Sequence, residues 1–163
     1  MFHFTYSQFD LLTPDEQEMF RTFLHFAVEN LLQKEKKSKK LYRLHFEFES
    51  GLSGLGELEV ESDDEPYTDF RILFSKRCRK KKLISTLLHE LVHVKQYCRK
   101  ELNFGSTMNH THWKGKLYDE RKLSYWLLPW EIEAYGLEKC LYELCLDSNR
   151  DSFSKRKYAW VLK

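Results

Sequence analysis

The sequence contains no apolar run long enough to cross a membrane, and its first residues, Met1 to Tyr6, lack the basic start and apolar stretch of a signal peptide. None of its four cysteines forms a C-x-x-C pair, which speaks against a four-cysteine zinc site and, with no sign of export, indicates free thiols. Charge of one sign is not in excess, because 27 lysines and arginines stand against 25 acidic residues, a net charge of +2. This balance excludes a globally basic nucleic-acid binder and an acidic tail protein. We therefore expect a cytoplasmic protein with no membrane partner.

Apolar and aromatic residues, by contrast, are abundant. Of the 163 residues, 42% are hydrophobic and 15% are Phe, Tyr or Trp, which is enough apolar area to offset the entropy lost when a chain of this length becomes compact. No internal repeat divides the chain. We expect a single domain that spans residues 1–163.

The first half of the chain predicts one helix followed by strands. Thr13 and Pro14 are typical of a helix start, and apolar residues then recur at helical spacing to about residue 33. The lysine-rich run 34–40 is interpreted as a solvated connection. Strands are predicted at residues 42–49, 57–61 and 70–74. The glycines between the first two strands indicate a hairpin, and residues 63–66 indicate a polar turn before the third.

The second half predicts two further helices. One runs from Lys80 to about Cys98, because its apolar residues lie mostly on one side, and the other runs from Pro129 to about residue 146. Between them, residues 102–128 are interpreted as irregular apart from a short turn around residues 113–116. The predicted fold class is α+β, with an N-terminal helix, about three mainly antiparallel strands and two later helices.

The second helix contains the pattern His89-Glu90-Leu91-Val92-His93, an H-E-x-x-H motif. Residues four apart on a helix lie one turn above each other, so the two imidazoles can bind one Zn²⁺ at about 2.0–2.1 Å. Glu90 lies one step round the helix, where its carboxylate can reach a water on that metal. The flanking apolar pattern predicts a helix here independently of the motif, and this supports the interpretation of the motif as a metal site.

A zinc ion held by two histidines needs a third protein ligand, and the third helix offers Glu131 and Glu133. They lie two residues apart and point to different sides of the helix, so only one can serve. Glu133 lies nearer the centre of the apolar face, where an unpaired carboxylate would be costly. Glu131 has Ala134 near its own face, which would let two helices approach closely around a metal. The residues alone leave both alternatives open.

Taken together, these segments resemble the gluzincin-type zinc metallopeptidases, in which a glutamate on a later helix completes the H-E-x-x-H site. In that family the ligand glutamate is typically followed three residues later by a small residue, which Glu131 and Ala134 match. More narrowly, residues 89–97, 113–116 and 129–134 are similar to small SprT-like metallopeptidases of bacteriophages and bacteria. The resemblance implies a zincin-like domain, one zinc ion bound by His89, His93 and Glu131, and the cytoplasm of a bacterial or phage-infected cell.

Two departures from the SprT pattern matter. SprT proteins proper use a third histidine, and His110 and His112 only loosely match that segment, so they stay as rival third ligands. The paired cysteines of a SprT zinc ribbon are absent, which weakens a role on DNA. If either histidine joined a glutamate and the two motif histidines, four protein ligands would close the site and make it structural.

The function expected from this resemblance is hydrolysis of peptide bonds in a protein or peptide substrate. Glu90 would take a proton from the zinc-bound water and pass it to the leaving amine. A further donor is needed for the tetrahedral intermediate, and Tyr97, Tyr125 and Tyr135 are candidates that the sequence does not rank. An edge strand beside the metal helix could pair with an extended substrate. The alternative is a non-catalytic zinc-binding or DNA-associated module.

A basic run precedes the H-E-x-x-H helix and supports that alternative. Its charged members are Lys76, Arg77, Arg79, Lys80, Lys81 and Lys82. Positive charge at a helix N-terminus is unfavourable with the helix dipole, so helix stability does not explain why these basic residues lie there. A solvated surface and a weak nucleic-acid contact, which phosphate binding would make steeply dependent on salt, are the two interpretations.

Overall fold

The structure, a computed structural model, describes residues 1–62, 67–105, 107, 109–153, 158, 160 and 161, so the turn predicted at residues 63–66 lies outside the described residues. The helices in these ranges are α1 (Pro14–Asn30), α2 (Gln33–Lys37), α3 (Lys80–Cys98), α4 (Pro129–Ser148) and α5 (Arg150–Phe153). The strands are β1 (Phe2–Ser7), β2 (Tyr42–Glu49), β3 (Gly56–Val60), β4 (Asp69–Ser75), β5 (Leu102–Phe104), β6 (His110–Trp113) and β7 (Lys116–Asp119). The predicted α+β class is confirmed.

Helix α1 begins as its sequence predicts. The Glu16 N–H donates to the Thr13 hydroxyl at 3.3 Å, and the Glu16 carboxylate accepts from the Thr13 N–H at 3.0 Å, which is a capping box. The lysine-rich run that follows is not a simple connection, because part of it forms α2. Glu35 within α2 is buried and accepts from Arg99 at 2.9 Å, an ion pair that ties α2 to the end of α3.

The main sheet differs from the predicted three-stranded, mainly antiparallel one. Within the described residues it has four strands in the order β1-β2-β4-β3, with β2 parallel to both β1 and β4 and only β3 antiparallel. The predicted hairpin of β2 and β3 is therefore wrong, because β4 lies between them. Strand β1 was not predicted.

Side-chain composition explains the strand order. In β4 the residues Phe70, Ile72, Leu73 and Phe74 are all buried, as suits an inner strand covered on both faces. In β3 glutamates alternate with smaller residues, and charged side chains suit an edge strand. On the helix-covered face, Phe20 of α1 packs edge-on against Phe46 of β2 and Phe74 of β4.

A second, smaller sheet occupies the segment predicted to be irregular. Strands β5, β6 and β7 are antiparallel neighbours in that order. The β6–β7 turn is made by Lys114 at φ 49° and Gly115 at φ 82°, the two positive φ values that a tight two-residue hairpin turn requires. The predicted turn at residues 113–116 is therefore a hairpin turn.

Helices α3 and α4 pack along each other, and α3 also contacts β3 and β4. Helix α3 has the predicted bounds, and α4 begins at Pro129 as predicted and ends two residues later than expected. The pairing of α3 and α4 brings together the two parts of the sequence that carry the candidate ligands. None of the helices in the described ranges is both long and apolar enough to span a membrane.

Candidate metal centre

His89 and His93 lie one turn apart on α3, and each is only 8% exposed. Their Nε2 atoms are 3.2 Å apart. Apolar residues on the other sides of the helix are fully buried in the core, among them Leu87, Leu88 and Leu91, and they fix the direction in which the two imidazoles point. The helix therefore presents two ring nitrogens to one point in space.

Glu131 reaches the same point from the first turn of α4. Its Oε2 lies 3.2 Å from His89 Nε2, and its Oε1 lies 3.5 Å from His93 Nε2. Ala134, one turn further along α4, is completely buried, and its small side chain lets α4 approach α3 closely. Glu131 itself is 6% exposed, so its carboxylate is buried among these partners.

The spacing of these three groups fits a metal ion. A tetrahedral ion with bonds of about 2.0–2.1 Å holds its ligand atoms about 3.3–3.4 Å apart. The three observed separations are 3.2, 3.2 and 3.5 Å. Two imidazoles and one carboxylate are also a donor set that divalent transition metals accept. His89, His93 and Glu131 can therefore hold one metal ion.

The second nitrogen of each imidazole is held by an oxygen. His89 Nδ1 lies 3.3 Å from Glu138 Oε2, and His93 Nδ1 lies 2.8 Å from Gln96 Oε1. A carboxylate or amide oxygen accepts a hydrogen bond from Nδ1–H, so that Nε2 is the nitrogen left to bind a metal. Neither Glu138 nor Gln96 was singled out by the sequence analysis, although Glu138 lies one helical turn beyond Ala134.

Glu133, the alternative third ligand, points elsewhere. Its carboxylate accepts from Lys95 at 2.8 Å, from Gln96 at 3.0 Å and from Lys114 at 3.2 Å. The predicted cost of a carboxylate on this face is offset by ion pairs with two lysines, one of them the buried Lys95, rather than by a metal. The Glu133 carboxylate therefore binds Lys95, Gln96 and Lys114 and is not in the group that can hold a metal.

His110 and His112, the other rivals, lie on β6 of the smaller sheet. His110 Nδ1 is hydrogen-bonded to the Thr107 hydroxyl, and His112 is paired in the sheet with Asn103 and Leu117. Among the described residues, the group that can hold a metal contains neither histidine. The geometry therefore gives three protein ligands rather than four.

The charges of the ligands depend on one another. Burial by itself would lower the pKa of His89, but hydrogen bonds to Glu131 and Glu138 outweigh it and raise that pKa to about 9. Burial would likewise raise the pKa of Glu131, but the neighbouring His89 and His93 and a hydrogen bond from Tyr125 hold that pKa well below its ordinary value. Without a metal, the site is therefore an imidazolium paired with carboxylates.

Comparisons with protein-family models, with curated proteins and with solved structures found no match to this chain. The resemblance to gluzincin and SprT-like metallopeptidases therefore stays a prediction that rests on the motif and on the geometry just described.

Glu90 lies beside the ligands and is 6% exposed. Burial raises the pKa of its carboxyl, although the neighbouring His93 and His89 oppose the shift. No described residue donates a hydrogen bond to Glu90. A buried carboxylate without a donor, next to a group that can bind a metal, is available to accept a proton from water.

Strand β3 approaches Glu90 at a glycine. A Cβ on Gly56 would lie 2.3 Å from Thr86 Cγ2, 3.2 Å from Glu90 Oε1 and 3.2 Å from the Leu73 carbonyl oxygen. Only a residue without a side chain lets the strand lie this close to α3.

We expect Gly56→Ala to destabilise the fold by about 1–3 kcal/mol, as overpacking typically does, and to displace Glu90. Thermal unfolding measures the first effect. Adding Thr86→Ser to the variant removes the methyl group that the new Cβ meets and should restore most of the loss. A Gly56→Ala protein as stable as the parent would show that β3 does not need this close approach.

The three candidate tyrosines occupy different places. The Tyr125 hydroxyl, in the 3-10 turn Tyr125–Leu127, donates to Glu131 Oε2 at 2.5 Å, and the Tyr135 ring lies 4.6 Å from the His89 ring. Tyr97 packs edge-on against Tyr67 at 5.6 Å, and burial raises its pKa. Tyr125 is thus the candidate whose hydroxyl touches a ligand oxygen directly.

Two cavities meet at the candidate site, and Gly56, His89, Glu90 and Tyr125 line both. The larger cavity, of about 360 Å³, extends along α3 towards its N-terminus, and we call it the trough. The second cavity, of about 240 Å³, lies on the side of His93, Glu131 and Leu58. An extended substrate that crosses from one cavity to the other therefore passes His89, His93 and Glu131.

The basic run lies at the start of α3 and is not a uniform patch. Arg77 is hydrogen-bonded to the Ser75 hydroxyl and the Leu52 carbonyl, and the Arg79 guanidinium is 3.9 Å from the Glu16 carboxylate. The Lys80 N–H donates to the same carboxylate at 3.2 Å, with Lys80 at φ 53°. Lys81 and Lys82 line the trough, and Lys76 is exposed away from it. Part of the run is therefore structural, and part faces the candidate site.

Proposed function

We propose that this protein is a zinc-dependent peptidase that hydrolyses peptide bonds of a protein or peptide substrate. The observation that carries the proposal is the convergence of His89 Nε2, His93 Nε2 and Glu131 at separations of 3.2–3.5 Å, next to a buried carboxylate in an open cleft. Zinc is favoured because two imidazoles and one carboxylate form a ligand set of catalytic zinc sites, which keep one position open. A structural site would need a fourth protein ligand.

His89, His93 and Glu131 would hold the zinc ion, which would supply Lewis acidity that lowers the pKa of water towards about 7 and polarises a peptide carbonyl. Glu90 accepts the proton of the attacking water on its carboxylate and then donates that proton to the leaving amine. Burial raises the pKa of the Glu90 carboxyl towards neutral pH, where this group can both accept a proton and give it back. In the metal-free site the Tyr125 hydroxyl donates its one proton to Glu131 Oε2 at 2.5 Å; with Glu131 bound to zinc instead, that hydroxyl could turn and donate to the carbonyl oxygen as negative charge develops there.

Within the described residues β3 is an edge strand, and its outer side is suited to hold an extended substrate. The Ser75 N–H donates to the Leu55 carbonyl, and the Glu61 N–H donates to the Asp69 carbonyl. These two bonds show that the odd-numbered residues of β3 are the ones hydrogen-bonded to β4. Because bonded and non-bonded positions alternate, the backbone groups of Gly56 and Leu58 face outward. A substrate strand added there would cross both cavities.

Metal analysis and a hydrolysis assay together test the proposal. Purified protein should contain about one zinc per chain, and His89→Ala should lose it, because two remaining protein ligands bind zinc weakly. A randomised peptide mixture followed by mass spectrometry should be cleaved by the zinc protein, not after chelation, and again after zinc is restored. Equal zinc in the parent and in His89→Ala would refute the site, and a zinc-loaded protein that cleaves nothing would refute the activity.

Zinc affinity should depend on pH in a way set by His89. Since the pKa of His89 is raised to about 9, this residue carries a proton at pH 7 that zinc must displace. We therefore expect the affinity to rise about tenfold per pH unit between pH 7 and pH 9 and to level off above. Competition with a chelator of known pH dependence measures this.

The partner of His89 provides the control for this prediction. Glu138→Gln removes a carboxylate that raises the pKa of His89, so the pH above which zinc affinity stops rising should be lower in this variant. The raised pKa of His89 also stabilises the metal-free fold. This contribution to the free energy of unfolding is complete below pH 6.5 and is lost as the pH rises through about 9. An affinity that does not change between pH 7 and 9 would contradict the prediction.

A further inference from the structure

The trough ends at two lysines, Lys81 and Lys82, that pair with no acidic side chain among the described residues. Lys82, Ser85, Thr86 and His89 all line it, and their spacing of three, four and seven residues places them on one face of α3. Lys81 joins Lys82 at the far end. The trough therefore follows the helix from the candidate metal ligands to its first turn.

The charges that face the trough are unevenly distributed. At the metal end, Glu138 is paired with His89, and Glu90 lies beside the ligands. At the far end, neither Lys81 nor Lys82 forms an ion pair or a hydrogen bond with a described residue, and the first turn of α3 carries no acidic side chain. The Lys81 ammonium lies 5.3 Å from the centre of the Tyr142 ring, a contact that leaves its charge uncompensated. The cavity thus has a cationic end that a ligand can neutralise.

The length of the trough gives the position of that ligand group. Seven residues of α-helix rise about 10 Å between Lys82 and His89. An extended peptide covers the same distance in about three residues. A group that reaches the lysines is therefore two or three residues from the peptide bond at the metal.

The direction of the substrate is set by how it pairs with strand β3, and antiparallel pairing is the more stable kind. Gly54 and Gly56 border the trough, whereas Leu58 borders the second cavity, so β3 runs from the trough towards the other side of the ligands. A substrate strand antiparallel to β3 runs the opposite way and ends in the trough. The residues that enter the trough are then those that follow the cleaved bond.

We propose that the trough selects substrates with a carboxylate two or three residues after the cleaved bond, bound by Lys81 and Lys82. This inference rests on the proposed peptidase function and adds the class of substrate. The carboxylate can belong to an aspartate or glutamate side chain or to the C-terminus of a short substrate.

The zinc-loaded protein and a randomised peptide library test the inference. Sequencing the products locates the cleaved bond, and matched peptides with Glu, Gln or Lys at the second or third following position are then compared. We expect kcat/KM to be about three- to fivefold higher for Glu than for Gln at low salt, and the difference to shrink as salt screens it. Peptides that end at these positions with a free or an amidated terminus distinguish the two sources of the carboxylate.

A charge-reversed protein provides the decisive comparison. Lys81→Glu with Lys82→Glu should reverse the preference from Glu to Lys. The variant is expected to fold, because acidic residues in the first turn of a helix are favourable. Lys76→Glu, which reverses a charge in the same basic run outside the trough, should keep the parent preference.

Each outcome is distinguishable. If cleavage occurs with no charge preference, or with the preference before the cleaved bond, the inference is wrong while the peptidase function stands. If no peptide is cleaved by zinc-loaded protein, the proposed function fails and the inference with it. If the charge-reversed protein loses salt-sensitive retention of DNA instead of a peptide preference, the lysines serve a nucleic acid, and the inference is wrong.

Discussion

Glu90→Gln is expected to leave zinc bound and to reduce peptide hydrolysis by at least about 10²- to 10⁴-fold, the usual contribution of general acid–base catalysis. Glutamine has the same shape as glutamate but cannot take a proton from water near neutral pH. Zinc content and kcat/KM on one peptide measure the two parts of the expectation.

The surroundings of Glu90 also predict the stability of this variant. Glu90 is 6% exposed and its carboxylate receives no hydrogen bond from a described residue, so its burial as a charge is unfavourable. Replacing it with a neutral amide should keep or raise the melting temperature. A gain in stability with a loss of activity is the pattern of a residue retained for chemistry.

A matched variant separates the loss of the base from a general effect of removing an acid. Glu143 is an exposed glutamate on α4, and Glu143→Gln should keep full activity. If Glu90→Gln still turned over peptide at the parent rate, Glu90 would not be the base. If it lost zinc as well, Glu90 would act as a ligand.

Gln96→Met is expected to weaken zinc binding by about 10- to 100-fold, as loss of a hydrogen-bond partner of a metal-binding histidine typically does. Gln96 is completely buried behind the site. Its Oε1 is 2.8 Å from His93 Nδ1, and its amide nitrogen donates to Glu133 Oε2 and to the Trp130 carbonyl, both at 3.0 Å.

The orientation of the Gln96 amide depends on Glu133. Because both groups around the amide nitrogen are acceptors, the nitrogen must point at them, and the amide oxygen must then face His93. This leaves His93 protonated on Nδ1 and unprotonated on Nε2, the form that binds a metal. In methionine the acceptor is gone, and His93 can carry its proton on either nitrogen.

Zinc affinity by chelator competition and the His93 tautomer by nitrogen NMR measure this effect. Glu101→Gln is the matched control, since Glu101 accepts from Lys95 but not from Gln96 and should change affinity little. Unfolding of the metal-free proteins separates lost stability from lost affinity. Unchanged affinity in Gln96→Met would show that His93 needs no partner at Nδ1.

The longer helices and three strands of the main sheet could be predicted from the sequence, but the pairing of the strands could not. The start of α1, the bounds of α3 and the start of α4 depend on neighbouring residues, and they were predicted. The insertion of β4 between β2 and β3 depends on which strand is buried on both faces, and alternation within one strand does not determine its neighbours. The smaller sheet was missed because its strands have only three or four residues.

The sequence by itself determined the pair His89 and His93 and the neighbouring Glu90, because a spacing of four residues on one helix fixes their relative positions. Which of Glu131, Glu133, His110 and His112 lies next to the two histidines was decided only by the packing of α4 and the smaller sheet against α3. The two glutamates have similar sequence surroundings, yet Glu131 lies 3.2 Å from His89 Nε2 whereas Glu133 is bound by Lys95, Gln96 and Lys114. Which carboxylate meets the histidines depends on the rotation of one helix about its axis relative to another, and tertiary contacts set that rotation.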